Sequence, residues 1–159
     1  MRGSVLHVDA RGRARMVDVG SKRSTRRVAV ARGSLAMGTR AFDALASGRL
    51  AKGDAIAVAR LAGIQAAKKT SEIVPLCHPL ALESVEVEIE LSRVRGEAVV
   101  TATTRITGKT GVEMEALTAV AASCLALYDM IKAIDRSAAI REIVLLEKSG
   151  GRSGAYRRA

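Results

Sequence analysis

The chain has 159 residues, a length that predicts one domain. Its hydrophobic content of 48% indicates a globular protein and excludes a disordered chain. Because only 2% of the residues are aromatic, we expect a core of Ala, Val, Leu and Ile. Its two cysteines are too few for a disulfide scaffold or a zinc site, and its N-terminus lacks an apolar run long enough for a signal peptide, so we expect a soluble cytoplasmic protein. The net charge of +10 favours anionic partners, namely nucleic acid, an anionic surface or a polyphosphate metabolite.

The first part of the chain is basic. Residues 1–15 are polar and rich in Arg and Gly, and we expect them to form a mobile arm. Four cations follow within residues 22–27, where they form either a solvated surface or a flexible anion clamp. The alternating segment Arg27–Arg32 then predicts a first strand.

Two helices are predicted after this strand. Ser34 is the expected cap of a helix that runs to about Ala46, and Asp54 is the expected cap of a second helix, Ala55–Lys69, whose small apolar residues would allow close helix packing. Lys52 stands just before the second helix, where a cation gains nothing from the helix dipole. Its position therefore suggests either another use or simple exposure to solvent.

A stiffened loop follows the second helix. The only two prolines of the chain, Pro75 and Pro79, bracket Leu76, Cys77 and His78. Because proline restricts its own backbone and that of the preceding residue, the loop holds its histidine still, either for hydrogen bonding or for a functional site. A metal site is not expected here, since the cysteine and the histidine are adjacent rather than spaced as chelating ligands.

Three more strands are predicted in the second half. Glu83–Leu91 alternates acidic and aliphatic residues, and with Glu97–Thr107 it predicts a hairpin. Ala139–Lys148 predicts a last strand, and the Gly- and Arg-rich tail 149–159 is expected to be mobile. The turn that precedes the long helix joins a strand to a helix N-terminus and could attract an anion, but Thr103 stands where a Walker A loop requires glycine.

A long helix, Gly111–Ile134, is the central element. Its apolar residues occupy every face, which indicates that it is covered on both sides. Asp129 and Lys132 share one face at its end, either as a proton-transferring pair or as an ordinary ion pair. Glu115 lies about 21 Å from Asp129 along the axis, so either one end is functional or a site is shared across a subunit interface.

The predicted order of elements indicates an α+β fold. It matches a ferredoxin-like βαββαβ sandwich with an extra helix in the first crossover, an antiparallel sheet and helices on one face, in a single domain. From the residues alone, nucleotide-phosphate binding and a basic RNA-binding module both remain open. None of the three aromatic residues falls in a predicted strand, which disfavours base stacking on the sheet.

Six segments form longer motifs: MVDVGSK at 16–22, KGDAIAVARLAGIQAAKKT at 52–70, PLCHPL at 75–80, TGKTGVEMEALTAV at 107–120, YDMIKAID at 128–135 and EKSGGRSG at 147–154. In this order, and over about residues 4–156, they closely resemble the MoaC family of cyclic pyranopterin monophosphate synthases in molybdenum cofactor biosynthesis.

The resemblance implies a lyase that converts (8S)-3′,8-cyclo-7,8-dihydroguanosine 5′-triphosphate into cyclic pyranopterin monophosphate and diphosphate. It also implies a homohexamer, a trimer of dimers with the site at the dimer interface, without a resident cofactor, nucleic acid or membrane. Mg²⁺ could accompany the triphosphate. The alternative is a basic ferredoxin-like RNA- or nucleotide-binding module without turnover.

Residue roles also follow from the resemblance. The acid–base group would consist of Asp129, Lys132 and Lys52. The substrate would be lined by Leu76, Cys77, His78, Met114 and Glu115, and its phosphates would be bound by Arg27 and Lys148. Because Arg26 and Arg27 stand where the family commonly has one arginine, which of them contacts phosphate is open. We expect a lysine pKa lowered by burial or by cationic neighbours, so that Lys132 or Lys52 can exchange protons near pH 7.

Overall fold

The computed structural model describes residues 11–152 and 154–159. Their elements are β1 (Thr25–Ala36), α1 (Thr39–Ala46), α2 (Ala55–Lys68), α3 (Thr70–Ile73), β2 (Ser84–Ser92), β3 (Glu97–Gly108), α4 (Glu113–Ile131), β4 (Ala139–Ser149) and β5 (Tyr156–Arg157). The strands form one sheet in the order β2-β3-β1-β4-β5, and every neighbouring pair is antiparallel. This topology confirms the predicted ferredoxin-like α+β class, with additional helices in the first crossover.

The core lies between the sheet and α4. Alternate residues of the central strands are fully buried, among them Ala29, Ala31, Leu35, Val100 and Ala102. Because buried and exposed positions alternate along these strands, one face of the sheet points towards α4, which packs on β1, β3 and β4. The core is therefore built from small and branched aliphatic side chains, as the composition predicts.

The second layer of helix packing joins α2 to α4. Gly63 of α2 lies so close to α4 that an added Cβ would overlap Ser123 Oγ, and the Ser123 hydroxyl donates a hydrogen bond to the Ala59 carbonyl at 3.0 Å. The sheet and α2 thus cover α4 on two sides, while Leu125 stays 59% exposed. Within the described residues, α4 is the one helix long and apolar enough to cross a membrane, but it is packed here as a core helix.

The helix cap predicted at Ser34 is wrong. Ser34 lies within β1, where it is opposite Val99 of β3 and Arg141 of β4, so that strand pairing on both sides overrides the local preference for a cap. The helix begins at Thr39 instead. The cap at Asp54 is confirmed, because its Oδ1 accepts a hydrogen bond from the Ala57 N–H at 3.0 Å.

The other boundaries shift by a few residues. β1 extends beyond both ends of Arg27–Arg32, whereas α4 is shorter than the predicted 111–134 at both ends. The tail contributes β5, whose Tyr156 is opposite Lys148, so one aromatic does lie in a strand, at the sheet edge. In the predicted N-terminal arm, residues 1–10 lie outside the described residues.

Candidate functional site

The C-terminal end of α4 carries a group of three charged side chains, here called the lysine–aspartate cluster (Lys52, Asp129 and Lys132). Lys132 Nζ lies 2.6 Å from Asp129 Oδ1, and Lys52 Nζ lies 2.7 Å from Asp129 Oδ2. The Lys52 ammonium also donates to the Asp129 main-chain carbonyl at 2.8 Å, in the last turn of α4. The lysine that precedes α2 therefore caps a different helix, which explains its position in the sequence.

The electrostatics of the lysine–aspartate cluster differ from the expectation. Hydrogen bonds from Lys132 and then from Lys52 lower the pKa of Asp129 to about 2. The hydrogen bond with Asp129 and its charge raise the pKa of Lys132. The expected lowering of a lysine pKa is thus wrong for Lys132 in this chain, because the side chains are 45–54% exposed and the carboxylate outweighs desolvation.

The N-terminal end of α4 borders a cavity of about 610 Å³, here called the anion pocket. Its walls come from the segment before β1, from the turn between β3 and α4, and from the end of β4. Six of its lining residues are cations: Lys22, Arg23, Arg27, Lys109, Lys148 and Arg152. Such a concentration of positive charge at the start of a helix suits a phosphate-bearing ligand.

Several cations of the anion pocket are held by polar contacts. Arg27 Nε donates to the Gly108 carbonyl at 3.3 Å, and Lys109 Nζ donates to the Gly20 carbonyl at 2.6 Å. Lys148 Nζ lies 3.0 Å from Glu113 Oε1.

Arg27 lines the anion pocket whereas Arg26, its neighbour in β1, does not, because successive strand residues point to opposite faces.

Glu115 lies in the first turns of α4 and is only 4% exposed. Burial raises its pKa to about 6, the hydrogen bond to its own backbone N–H lowers it, and the charge of Glu113 raises it. Burial also raises the pKa of Cys77, and the negative charge of Glu115 raises it further. The proline-bracketed loop therefore approaches the start of α4. Its Leu76 and the helix residue Met114 are both partly exposed.

His78 has a structural partner in this chain. Its Nε2 is 2.8 Å from the Val17 carbonyl, so the tautomer with a proton on Nε2 donates a hydrogen bond that ties the loop to the segment before β1. Among the residues that the structure describes, no group of three or more His, Cys, Asp or Glu could hold a metal ion.

The predicted site residues thus form two groups rather than one. Asp129, Lys132 and Lys52 meet at one end of α4, whereas the predicted substrate and phosphate residues lie around the other end. Fourteen residues of helix separate Glu115 from Asp129, about 21 Å. None of the three residues of the lysine–aspartate cluster lines the anion pocket.

Sequence reasoning missed three participants. Lys109 and Arg152 line the anion pocket, and their only signal was their place in Gly-rich turns. Asp135 accepts hydrogen bonds from the Gly38 N–H at 2.8 Å and from both the N–H and the hydroxyl of Ser137, at 2.9 and 2.6 Å. It fixes the chain just after Lys132 to the start of α1, and its signal was the final aspartate of YDMIKAID.

Comparison with known proteins agrees with the motifs. The model of the MoaC family matches residues 16–151. A cyclic pyranopterin monophosphate synthase of Thermomicrobium roseum is 53% identical over 97% of this chain and 93% of its own length. The synthase of Parvibaculum lavamentivorans is 52% identical over 96% of both chains. Molybdenum cofactor biosynthesis protein 1 of Bos taurus is 54% identical over 97% of this chain, but only 24% of that protein is covered. The chain therefore belongs to the MoaC family.

Proposed function

We propose that this chain converts (8S)-3′,8-cyclo-7,8-dihydroguanosine 5′-triphosphate into cyclic pyranopterin monophosphate and diphosphate, as a phosphorus–oxygen lyase of molybdenum cofactor biosynthesis. The relatives named as this synthase, with 53% and 52% identity, support the proposal. The structural observation that carries it is the meeting of Lys52 and Lys132 on the Asp129 carboxylate. Reshaping a purine-derived ring system into a pterin requires repeated proton transfers, and this cluster supplies acids for them.

In the proposed mechanism, Asp129 holds and orients two ammonium groups. With a pKa of about 2 it stays ionised at neutral pH and is a poor base by itself. Lys132 enters the reaction protonated, because its pKa is raised, so its first step is to donate a proton to the substrate. The amine that results can then take a proton in a later step.

The anion pocket would serve the second half of the reaction. Formation of the cyclic phosphate requires a ribose-derived hydroxyl to attack the α-phosphorus while diphosphate leaves. Arg27 and Lys148 would stabilise the charge of the leaving group, and Lys148 would exchange Glu113 for a phosphate oxygen. We propose no resident cofactor; any Mg²⁺ would arrive with the triphosphate.

We further propose that two copies share each site, within a cytoplasmic homohexamer arranged as a trimer of dimers. The support is the separation of about 21 Å between Glu115 and Asp129 along α4. One cyclic nucleoside triphosphate cannot reach both ends of the helix in one chain. The free thiols Cys77 and Cys124 suit a reducing compartment.

The test is the substitution Asp129→Asn. We expect the variant to fold and to bind the cyclic triphosphate, but to release diphosphate at least about a hundredfold more slowly, because both ammonium groups lose their orienting charge. Diphosphate release would be assayed in single turnovers, and binding by calorimetry. Near-normal turnover would remove the proposed role of Asp129.

Glu72→Gln is the matched control. Glu72 forms an i,i+3 ion pair with Lys69, as Asp129 does with Lys132, but its side chain is exposed and belongs neither to the lysine–aspartate cluster nor to the lining of the anion pocket. We expect wild-type turnover from this variant. If the wild-type protein binds the triphosphate or RNA and releases no diphosphate, it is a binding module instead.

A further inference from the structure

Two glycines follow β4 in the left-handed backbone region, Gly150 with φ +95° and Gly151 with φ +77°. An added Cβ at Gly151 would overlap Nη1 of Arg27, and one at Gly150 would overlap the Arg26 carbonyl oxygen. Both glycines are therefore needed for conformation and for space. The group that occupies the space at Gly151 is the guanidinium of a cation that lines the anion pocket.

The Arg27 guanidinium is thus held from two directions by main chain. Its Nε donates to the Gly108 carbonyl at the end of β3, and its Nη1 side lies against Gly151 after β4. In the described contacts the Nε–H is the bonded donor, so the Nη groups remain for an anion. A methyl group at residue 151 would displace those Nη groups without removing the charge.

We propose that Gly151 is a positioning residue that sets the place of the Arg27 guanidinium in the anion pocket. The identity of the anion as the triphosphate rests on the proposed function; the positioning itself does not. Bidentate binding of phosphate depends on the orientation of the planar guanidinium, so its displacement weakens binding of phosphate groups and of the diphosphate that develops in the reaction.

The experiment compares Gly151→Ala with Gly154→Ala. Gly154 has a similar φ of +67° but nothing within 4 Å of an added Cβ, so alanine there has the same backbone strain without the overlap. We expect Gly151→Ala to weaken binding of inorganic tripolyphosphate, and to raise KM for the cyclic triphosphate, by about tenfold or more. For Gly154→Ala, tripolyphosphate affinity and KM should stay within about twofold of the wild-type values. The melting temperatures of both variants should fall by similar amounts, because alanine at either position adopts a strained left-handed backbone.

An Arg27→Ala background gives the decisive readout. Adding Gly151→Ala to it should change tripolyphosphate binding little, since the group that Gly151 positions is already absent. Equal effects of alanine at 151 and 154, or an undiminished effect of Gly151→Ala in the Arg27→Ala background, would overturn the proposal. If Gly151→Ala alone does not fold, recovery of folding in the double variant supports the overlap, and failure to recover contradicts it. Tripolyphosphate binding requires no turnover, so this test remains valid even if the proposed function fails.

Discussion

Two carboxyl groups of α4 have pKa values displaced in opposite directions. Asp129, held by two ammonium groups, has its pKa lowered to about 2, whereas burial raises that of Glu115 to about 6. Of these two acids, Glu115 is therefore the one that can exchange a proton near neutral pH, and it lies at the far end of the helix from the lysine–aspartate cluster. Environments that separate the pKa values of two acids in this way assign them different roles, with Asp129 as a fixed charge.

The raised pKa of Glu115 predicts a pH-dependent gain in stability for Glu115→Gln. An acid whose pKa is raised from 4.5 to about 6 on folding contributes its full stability below about pH 4.5 and loses it as the pH rises through 6. At pH 8 the variant should therefore be more stable than wild type by about 2 kcal/mol, and at pH 4 the difference should vanish. Urea unfolding at both pH values measures this, with Glu72→Gln as an exposed control.

A difference between Glu115→Gln and wild type that is the same at pH 4 and pH 8 would contradict the role of burial. No sequence signal indicated the raised pKa of Glu115, since an acid in a first helical turn is commonly a surface group that compensates the helix dipole. Likewise, the i,i+3 spacing predicted the contact of Asp129 with Lys132, but nothing local predicted the contact with Lys52, 77 residues away. Only the motif resemblance placed these three residues together.

At the scale of elements, α2 and α4 pack closely because small residues face each other. An added Cβ at Gly63 would overlap Ser123 Oγ and lie 2.9 Å from the Ala119 carbonyl oxygen, which the helix backbone holds in place. We expect Gly63→Ala to lower the free energy of unfolding by about 1–2 kcal/mol, because overpacking exceeds the gain in helix propensity. Chemical denaturation of wild type and variant measures this difference in the free energy of unfolding.

The double variant Gly63→Ala with Ser123→Ala tests the cause of this loss. Removing the hydroxyl relieves the nearest overlap, so the double variant should be more stable than the sum of the single effects predicts. Strict additivity would mean that the loss arises elsewhere. The closeness of this helix pair was predictable from the small residues of α2, whereas the partner residue Ser123 was not.

Elements with a clear period were predicted well. The alternation in β2 and β3 and the cap at Asp54 are local signals, and the structure agrees with them to within a residue or two. The helix cap predicted at Ser34 was wrong because the local preference of serine for a cap competes with pairing to two strands that are distant in sequence. Long-range pairing is the information that a single sequence does not display.

At the scale of the whole molecule, charge is concentrated at two places that one chain keeps apart. The anion pocket gathers six cations at the start of α4, and the lysine–aspartate cluster lies at its end. A reaction that needs both proton transfer and departure of diphosphate requires both places near one substrate. The proposed shared site solves this problem, because a two-fold axis can bring the end of one α4 to the start of another.

This arrangement predicts that two inactive variants restore each other. In a dimer of one Asp129→Asn chain and one Arg27→Ala chain, a shared site carries either both changes or neither, so one of the two sites is intact. Random mixing of chains should then give about a quarter of wild-type diphosphate release, since half the dimers are mixed and each has one intact site. If each site lay within one chain, every site would carry one change and the mixture would be no more active than its parents. Mixing Asp129→Asn with Lys52→Ala is the matched control, because both changes affect the same end of α4 and no intact site can form.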